Sequence, residues 1–497
     1  MQTAAPATSA SIEAARSSRG RARSRQPATR GGTRLTRALG QLGLLAVVAT
    51  VFLTAAEAAA APTQYVPSRS GGWPPWLSGP LGTLHPSTLG SSGFQTLTLV
   101  MCAGYLAVLV SARSVSLRSL WIAIVLAHVI LLLGPPLISQ DVFGYIGFAR
   151  LGTLHGLDPY THVAAQASGD EVFAFLGWPH QHSPYGPLFT LLSYATVPLG
   201  VGGALWAFKA LAVISSLGAI ALIGLAADRI GVSRRWAIAF VGLNPVMLVL
   251  AVGGAHNDTL IVLSLAAALA LTAGARPRLR TGAVALVAGI GVKLTAGLPL
   301  PFLVLAPRRG DERLRVALAA AAALVALGAV ALIGFGSHAL GFLGALGEQQ
   351  QLVAVHSIPA ETARLIGLTG TPTWWRDVYV AGFAAALAAA LWRTSRGADW
   401  RIAAGWTTLA LLASTAWLLP WYAIWALPLA AVCGDRRLRA ATLVVCAYAV
   451  LIHLPLAEGL LTPPRVKGVH VRPFPRRHDI ELSRFQVAHD ALLDLRR

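Results

Sequence analysis

Long apolar runs recur from Ala38 to near Pro455, separated by short arginine clusters and a few polar stretches rich in Gly, Pro, His and aromatic residues. Each main run is long enough to cross a hydrocarbon core about 30 Å thick and so predicts a transmembrane helix. The first apolar stretch is Leu39 to Ala56, followed by runs near 94–112, 118–139, 203–227, 236–254 and 260–275. Further runs lie near 316–335, 378–392, 400–418, 423–434 and 439–457. Between them, Thr281 to Pro307 is long for one crossing and short for two, and is interrupted by Lys293, Gly297, Pro299 and Pro301. A broken hairpin of half-helices, its tip buried in protein or facing a cavity, keeps all later basic turns on one side of the membrane. The expected fold class is therefore all-α: a polytopic integral membrane protein with about 11–13 transmembrane helices.

Composition agrees. The 497 residues are 55% hydrophobic and 12% charged, with a mean hydropathy of +0.62, outside the range of soluble domains. A net charge of +20 in a soluble chain would suggest nucleic acid, but here the basic residues flank apolar segments and set topology instead. Arginines at 16–37 place the N-terminus in the cytoplasm, and alternation then puts 61–93, Gln140–Gly186, His256–Asp258 and 336–377 outside a plasma membrane. Residues 1–36 read as a disordered basic cytoplasmic tail, 37–457 as the membrane domain and 458–497 as a polar C-terminal tail. By alternation that last tail falls outside, against the sense of its own arginines. The alanines that follow the first run also resemble a signal-peptide cleavage site, although an uncleaved first helix is expected. Cys102, Cys433 and Cys446 lie in apolar segments, as packed thiols do. No P-loop, dinucleotide fingerprint or zinc-ligand spacing occurs, and His180 and His182 are spaced too loosely for a metal site. No cofactor or metal is expected.

Chemistry concentrates in the polar stretches. Ile138-Ser-Gln-Asp-Val-Phe-Gly-Tyr145 places Asp141 where the third helix leaves the bilayer, either as a general base for a hydroxyl or as a helix-end carboxylate capping backbone groups. His155-Gly-Leu-Asp-Pro-Tyr160 and His180-Gln-His-Ser-Pro-Tyr-Gly-Pro187 combine turn formers with aromatic and hydroxyl groups, suited to a shaped loop or to a sugar-binding groove. Asp258 reads as a helix cap or a second acidic site, and Lys293 as an isolated cation that faces a cavity or pairs locally. Trp374, Trp375, Trp421 and Tyr422 read as an interfacial aromatic belt. The loop from Glu348 to Asp377, with His356, Glu361, Arg364 and Arg376, is placed to cover an acceptor.

Together, Gln140-Asp-Val-Phe-Gly-Tyr145, His155-Gly-Leu-Asp-Pro-Tyr160, Ser183-Pro-Tyr-Gly-Pro-Leu188, Asn244-Pro245, Gly253-Gly-Ala-His-Asn-Asp258 and Pro420-Trp-Tyr422 form an ordered set across roughly 120–435. This set resembles the polyprenol-phosphate-mannose-dependent α-1,6-mannosyltransferases that elongate lipomannan-type glycans. The resemblance implies a GT-C fold, an outward-facing active site, a polyprenyl-phosphate-mannose donor, a glycolipid or mannan acceptor and inverting transfer. It also implies an acidic base in an early external loop, which maps onto Asp141. On this reading Tyr145, Asp158, Tyr160, His182, Tyr185 and Asp258 bind substrate. Arg150, His256, Asn257, Lys293 and Arg364 are the candidates to meet the anionic leaving group. Two alternatives stay open: a related transferase using another sugar or acceptor, and a lipid or solute transporter built on broken helices.

Overall fold

The computed structural model describes residues 30–60, 66, 74–84 and 90–452, and among these every regular element is helical. The first helix, α1 (Arg30–Ala60), begins inside the stretch expected as a tail; the rest of that tail, 1–29, and the C-terminal segment 458–497 lie outside the described residues. After the short α2 (Pro75–Ser78), α3 (Gly90–Ser111) and α4 (Leu117–Leu133) pack on α1. Small residues let these backbones approach. A side chain at Gly43 would sit 2.6 Å from the carbonyl oxygen of Gly104, which faces Gly43 in return.

The polar stretch after α4 is partly helical. It opens with α5 (Asp141–Leu154) and ends where Pro187 starts α6 (Pro187–Tyr194), which leads into the long α7 (Gly200–Ile230). Lys209 on α7 is fully buried and donates to the carbonyls of Leu131 (2.8 Å) and Pro135 (3.4 Å), satisfying groups left open where α4 ends.

The run expected as one helix over 236–254 is two pieces, α8 (Arg234–Gly242) and a π-helical segment (Val246–Val252), bent by 44°. Pro245 lacks the N–H that would continue the ladder. Asn244 stitches the break: its amide nitrogen donates to the Tyr105 hydroxyl (3.2 Å) and its amide oxygen accepts from the Val246 N–H (3.0 Å). The chain then returns through α9 (Asp258–Thr272).

The expected broken hairpin is present as α10 (Leu279–Ile290), a break at Gly291–Lys293, a 3-10 turn (Leu294–Gly297) and α11 (Leu300–Leu305). Its open carbonyls are taken by the start of α6: Gly186 N–H donates to Val292 (2.8 Å) and Phe189 N–H to Gly291 (3.1 Å). This contact requires glycine at 186, where a Cβ would overlap the Gly291 backbone. Gly186→Ala is expected to destabilise by about 1–3 kcal/mol through overpacking, read as a fall in the thermal midpoint of the detergent-purified protein. An unchanged midpoint would mean that the two segments are not pressed together.

The remainder is α12 (Gly310–Phe335), α13 (Gly341–Gln351), α14 (Ile358–Leu365), α15 (Thr373–Ser395), α16 (Trp400–Ser414), a buried 3-10 stretch (Pro420–Ala426), α17 (Leu427–Val432) and α18 (Arg436–Leu451). The stretch 336–377, expected as an external loop, contains α13, α14 and the first turn of α15. Among the described residues, five helical stretches are long and apolar enough to cross a membrane, or six if the bent pair is one span. Five more apolar helices, Leu117–Leu133 and Asp258–Thr272 among them, are shorter. The chain is thus an all-helical protein of polytopic membrane type. On α12 and α15, Val325, Ile333 and Val378 are exposed, a pattern that suits contact with lipid.

Candidate active site

Two segments with strained backbones meet at the centre of the bundle. Ser139 N–H donates to Leu137 O (2.8 Å), closing a γ-turn around Ile138 at φ 72°, and Ala255 sits at φ 54° just before His256. Positive φ at a β-branched residue is rare, and such strain, of order 1–3 kcal/mol per residue, persists only where the surroundings enforce it. Here the enforcement is a hydrogen bond from Leu137 N–H to Gly253 O (2.9 Å), which ties one segment to the other.

The outcome is a close pair of side chains. Asp141, in the first turn of α5, brings Oδ2 to 3.5 Å from Nδ1 of His256, outside a formed hydrogen bond. His256 is completely buried, its ring stacked on Trp421 (centroids 3.8 Å apart, planes at 22°), and neither ring nitrogen has a hydrogen-bond partner among the described residues. Next to it, the Asn257 N–H donates to the Tyr145 hydroxyl (3.3 Å).

Asp258 does not cap α9. Its Oδ1 accepts from Lys293 Nζ (3.2 Å) and Trp425 Nε1 (2.8 Å), while Oδ2 is buried without a partner among the described residues. Lys293, at the hairpin break, stands 4.3 Å over the Tyr422 ring and 5.4 Å over that of Trp425. The cation is held by a carboxylate and two ring faces, an arrangement that stabilises charge where water is scarce.

A cavity of about 740 Å³ opens above this floor. Asp141, Tyr185, Lys293, Tyr422 and Trp425 line its base, and Gln181, His182, Gln349, Trp178, Trp417 and Arg376 line its mouth. At the mouth His182 Nδ1 meets Glu348 Oε1 (2.7 Å), Gln349 donates to Gln181 (3.1 Å), and the indoles of Trp178 and Trp417 stand edge to face at 5.3 Å. Arg376 hydrogen-bonds Thr373 Oγ1 (3.0 Å), and its buried Nε lacks a partner among the described residues. No group of three or more His, Cys, Asp or Glu side chains placed to hold a metal ion occurs among the described residues.

Of the residues singled out from sequence, Asp141, His182, Tyr185 and Lys293 line the cavity, and Tyr145, His256, Asn257 and Asp258 pack beneath it. Four others are engaged elsewhere. Arg150 pairs with Asp170 (2.8 Å) and Glu171 (3.1 Å), and Arg364 with Glu361 (2.5 Å), so neither cation lines the cavity. Asp158 accepts from the Tyr160 N–H (2.8 Å) to close its own turn, and the Tyr160 hydroxyl donates to Tyr185 O (2.9 Å). The aromatic belt is also revised: Trp421 and Tyr422 are buried in the floor, whereas Trp374 is exposed. Trp178 and Trp417 carry no mark in the sequence, since an indole near an apolar segment has no distinguishing spacing.

Asp170 fixes the loop that frames the site. Burial raises its pKa, but hydrogen bonds from Arg150, His155 and the Val172 N–H outweigh this and hold the carboxyl below the usual carboxylate range. A carboxyl lowered on folding contributes stability above its unfolded pKa, about 3.9, that is lost as pH falls through the folded value. Limited proteolysis within 155–186 should therefore accelerate below about pH 4 in the wild type, with a weaker pH dependence in Asp170→Asn. The same acceleration in both proteins would assign it to other groups.

Comparison with known proteins adds the family. The family model described as alpha-(1->6)-mannopyranosyltransferase, N-terminal domain, matches residues 37–309, more than half of the chain. The chain belongs to this family. A second model, the MptB C-terminal domain, matches residues 363–469. Among relatives, alpha-(1->6)-mannopyranosyltransferase A of Mycobacterium tuberculosis is 31% identical over 341 residues, 62% of this chain and 64% of the relative. The protein of the same name from Corynebacterium glutamicum is 30% identical over 186 residues, 35% of this chain and 36% of the relative. Alpha-(1->6)-mannopyranosyltransferase B of that organism is 29% identical over 164 residues, 31% of this chain and 26% of the relative. Matched regions thus span less than two thirds of the length of these relatives. No solved structure matches the chain. In this chain Asp141 and Tyr422 line the cavity, while His256 reaches it through Asp141 and Trp421, and Asp258 through Lys293.

Proposed function

We propose that this protein transfers mannose from a polyprenyl-phosphate-mannose donor to a growing α-1,6-mannan acceptor, with inversion, on the extracytoplasmic face of the plasma membrane. The observation that carries the reading is a carboxylate, Asp141, and a cation, Lys293, lining one cavity in a bundle of this family. In the proposed step Asp141 takes the proton of an acceptor hydroxyl as its oxygen bonds to the anomeric carbon of a β-linked mannosyl phosphate. The bond from that carbon to the phosphate oxygen breaks, and polyprenyl phosphate departs with the electron pair, leaving an α-mannoside. The leaving group is anionic throughout, so a cation must face it; Lys293 and Arg376 are the lysine and arginine that line the cavity. The tryptophan and glutamine side chains of the mouth offer ring faces and neutral hydrogen-bonding groups, the chemistry that sugar hydroxyls and ring C–H groups require.

The test is transfer of radiolabelled mannose from polyprenyl-phosphate-mannose to a short α-1,6-mannose acceptor by membranes containing the protein. Expected is a longer product, sensitive to an α-1,6-specific mannosidase. Label taken instead from a nucleotide sugar, or from another polyprenyl-phosphate sugar, would overturn the donor assignment. Solute flux in proteoliposomes without any transfer would favour a transporter.

A further inference from the structure

Near the ends of α7 and α9 remote from the cavity lies a second space, about 570 Å³, open on one side and separate from the site above. Its walls are apolar, built from Leu222 and Leu225 of α7 and Ala267, Ala270 and Leu271 of α9. One end is ringed by Arg229, Arg276 and Arg278, the last two on the turn after α9. Arg229 is held in place: its guanidinium donates to Ala270 O (2.6 Å), and its stem packs beside Gly274, whose φ of 95° turns the chain sharply. Arg276 and Arg278 are exposed and have no carboxylate partner among the described residues. The neighbouring Asp228 is instead paired with Arg234 (3.3 Å).

We infer that this groove is a binding site for an anionic phospholipid, its acyl chain along the α7–α9 wall and its phosphate headgroup against Arg229, Arg276 and Arg278. Chemistry and position both select that occupant. An apolar slot ending in three arginines, none paired with a carboxylate among the described residues, matches a molecule that is hydrocarbon at one end and anionic at the other. The slot opens beside Leu225 of α7, an apolar side chain left exposed on the outside of the helix bundle. The 15 residues of α9 span about 22 Å, which separates the groove at its end from Asp258 at its start. Because α9 carries Asp258, the partner of Lys293, the lipid would brace the same helix that holds the catalytic floor.

The full-length protein, purified in neutral detergent with equimolar phosphatidylglycerol and phosphatidylcholine, is examined by native mass spectrometry for retained lipid. Wild type is expected to keep phosphatidylglycerol preferentially. Changing Arg229, Arg276 and Arg278 to Gln should weaken retention by roughly fivefold per arginine. Ala267→Trp, which fills the slot and leaves all three arginines, should also release the lipid. Equal retention of both lipids by wild type, or undiminished phosphatidylglycerol binding by either variant, overturns the proposal. So does full displacement by inorganic phosphate, which would make the site one for a free anion.

Discussion

Replacing Asp141 by Asn is expected to lower mannose transfer by about 10²–10⁴-fold, the loss typical of removing a general base, with little change in thermal stability. The amide keeps the size of the carboxylate, and Asp141 forms no close ion pair that folding depends on, since its distance to His256 is 3.5 Å. Transfer is measured with radiolabelled polyprenyl-phosphate-mannose in membranes that hold equal amounts of each protein. The donor KM should stay near that of the wild type, because a lost proton acceptor slows the chemical step more than it weakens binding. A variant that folds and transfers at the wild-type rate removes Asp141 as base and leaves the rest of the proposed function standing. Lost transfer together with lost folding would make the residue structural.

Lys293→Met should have the second large effect, on stability and activity together. It strands the Asp258 carboxylate, 1% exposed, with only the Trp425 N–H on that oxygen, and breaking a buried pair in this way costs about 3–5 kcal/mol. Adding Asp258→Asn removes the orphaned charge and should restore most of the lost stability, as neighbours in a double-mutant cycle do. If Lys293 meets the leaving phosphate, the double variant will fold and still transfer poorly. Thermal unfolding and transfer rates on the three proteins separate the two roles. Recovery of both in the double variant would confine Lys293 to holding the hairpin break in place, and a wild-type midpoint for Lys293→Met would contradict a buried pair.

The broken hairpin at Gly291–Lys293 and the crowding of polar motifs around Asp141 were both legible along the chain, because apolar spacing and isolated polar residues leave local marks. Other features left none. Arg150 looks as available as Lys293 in the sequence, yet Asp170 holds it outside the cavity, whereas Lys293, though paired with Asp258, lines it. Trp421 and Tyr422 resemble an interfacial belt until packing places them under His256 and Lys293. The bend after α8 was hidden for another reason: a single proline in an apolar run signals a kink without giving its angle.

What this sequence determined by itself was the class of solvent and the menu of chemistry. Runs of apolar residues in a chain with 12% charge demand helices that satisfy their own backbone, and ordered polar motifs between the runs mark where function resides. Only the tertiary structure decided which charges stay available. Availability depends on partners far away in the chain, such as Asp258 for Lys293 and Trp421 for His256, and no local pattern encodes a contact across more than 30 residues. The desolvation that makes a lone buried charge costly also makes its partner decisive, and that partner is set by how the helices pack.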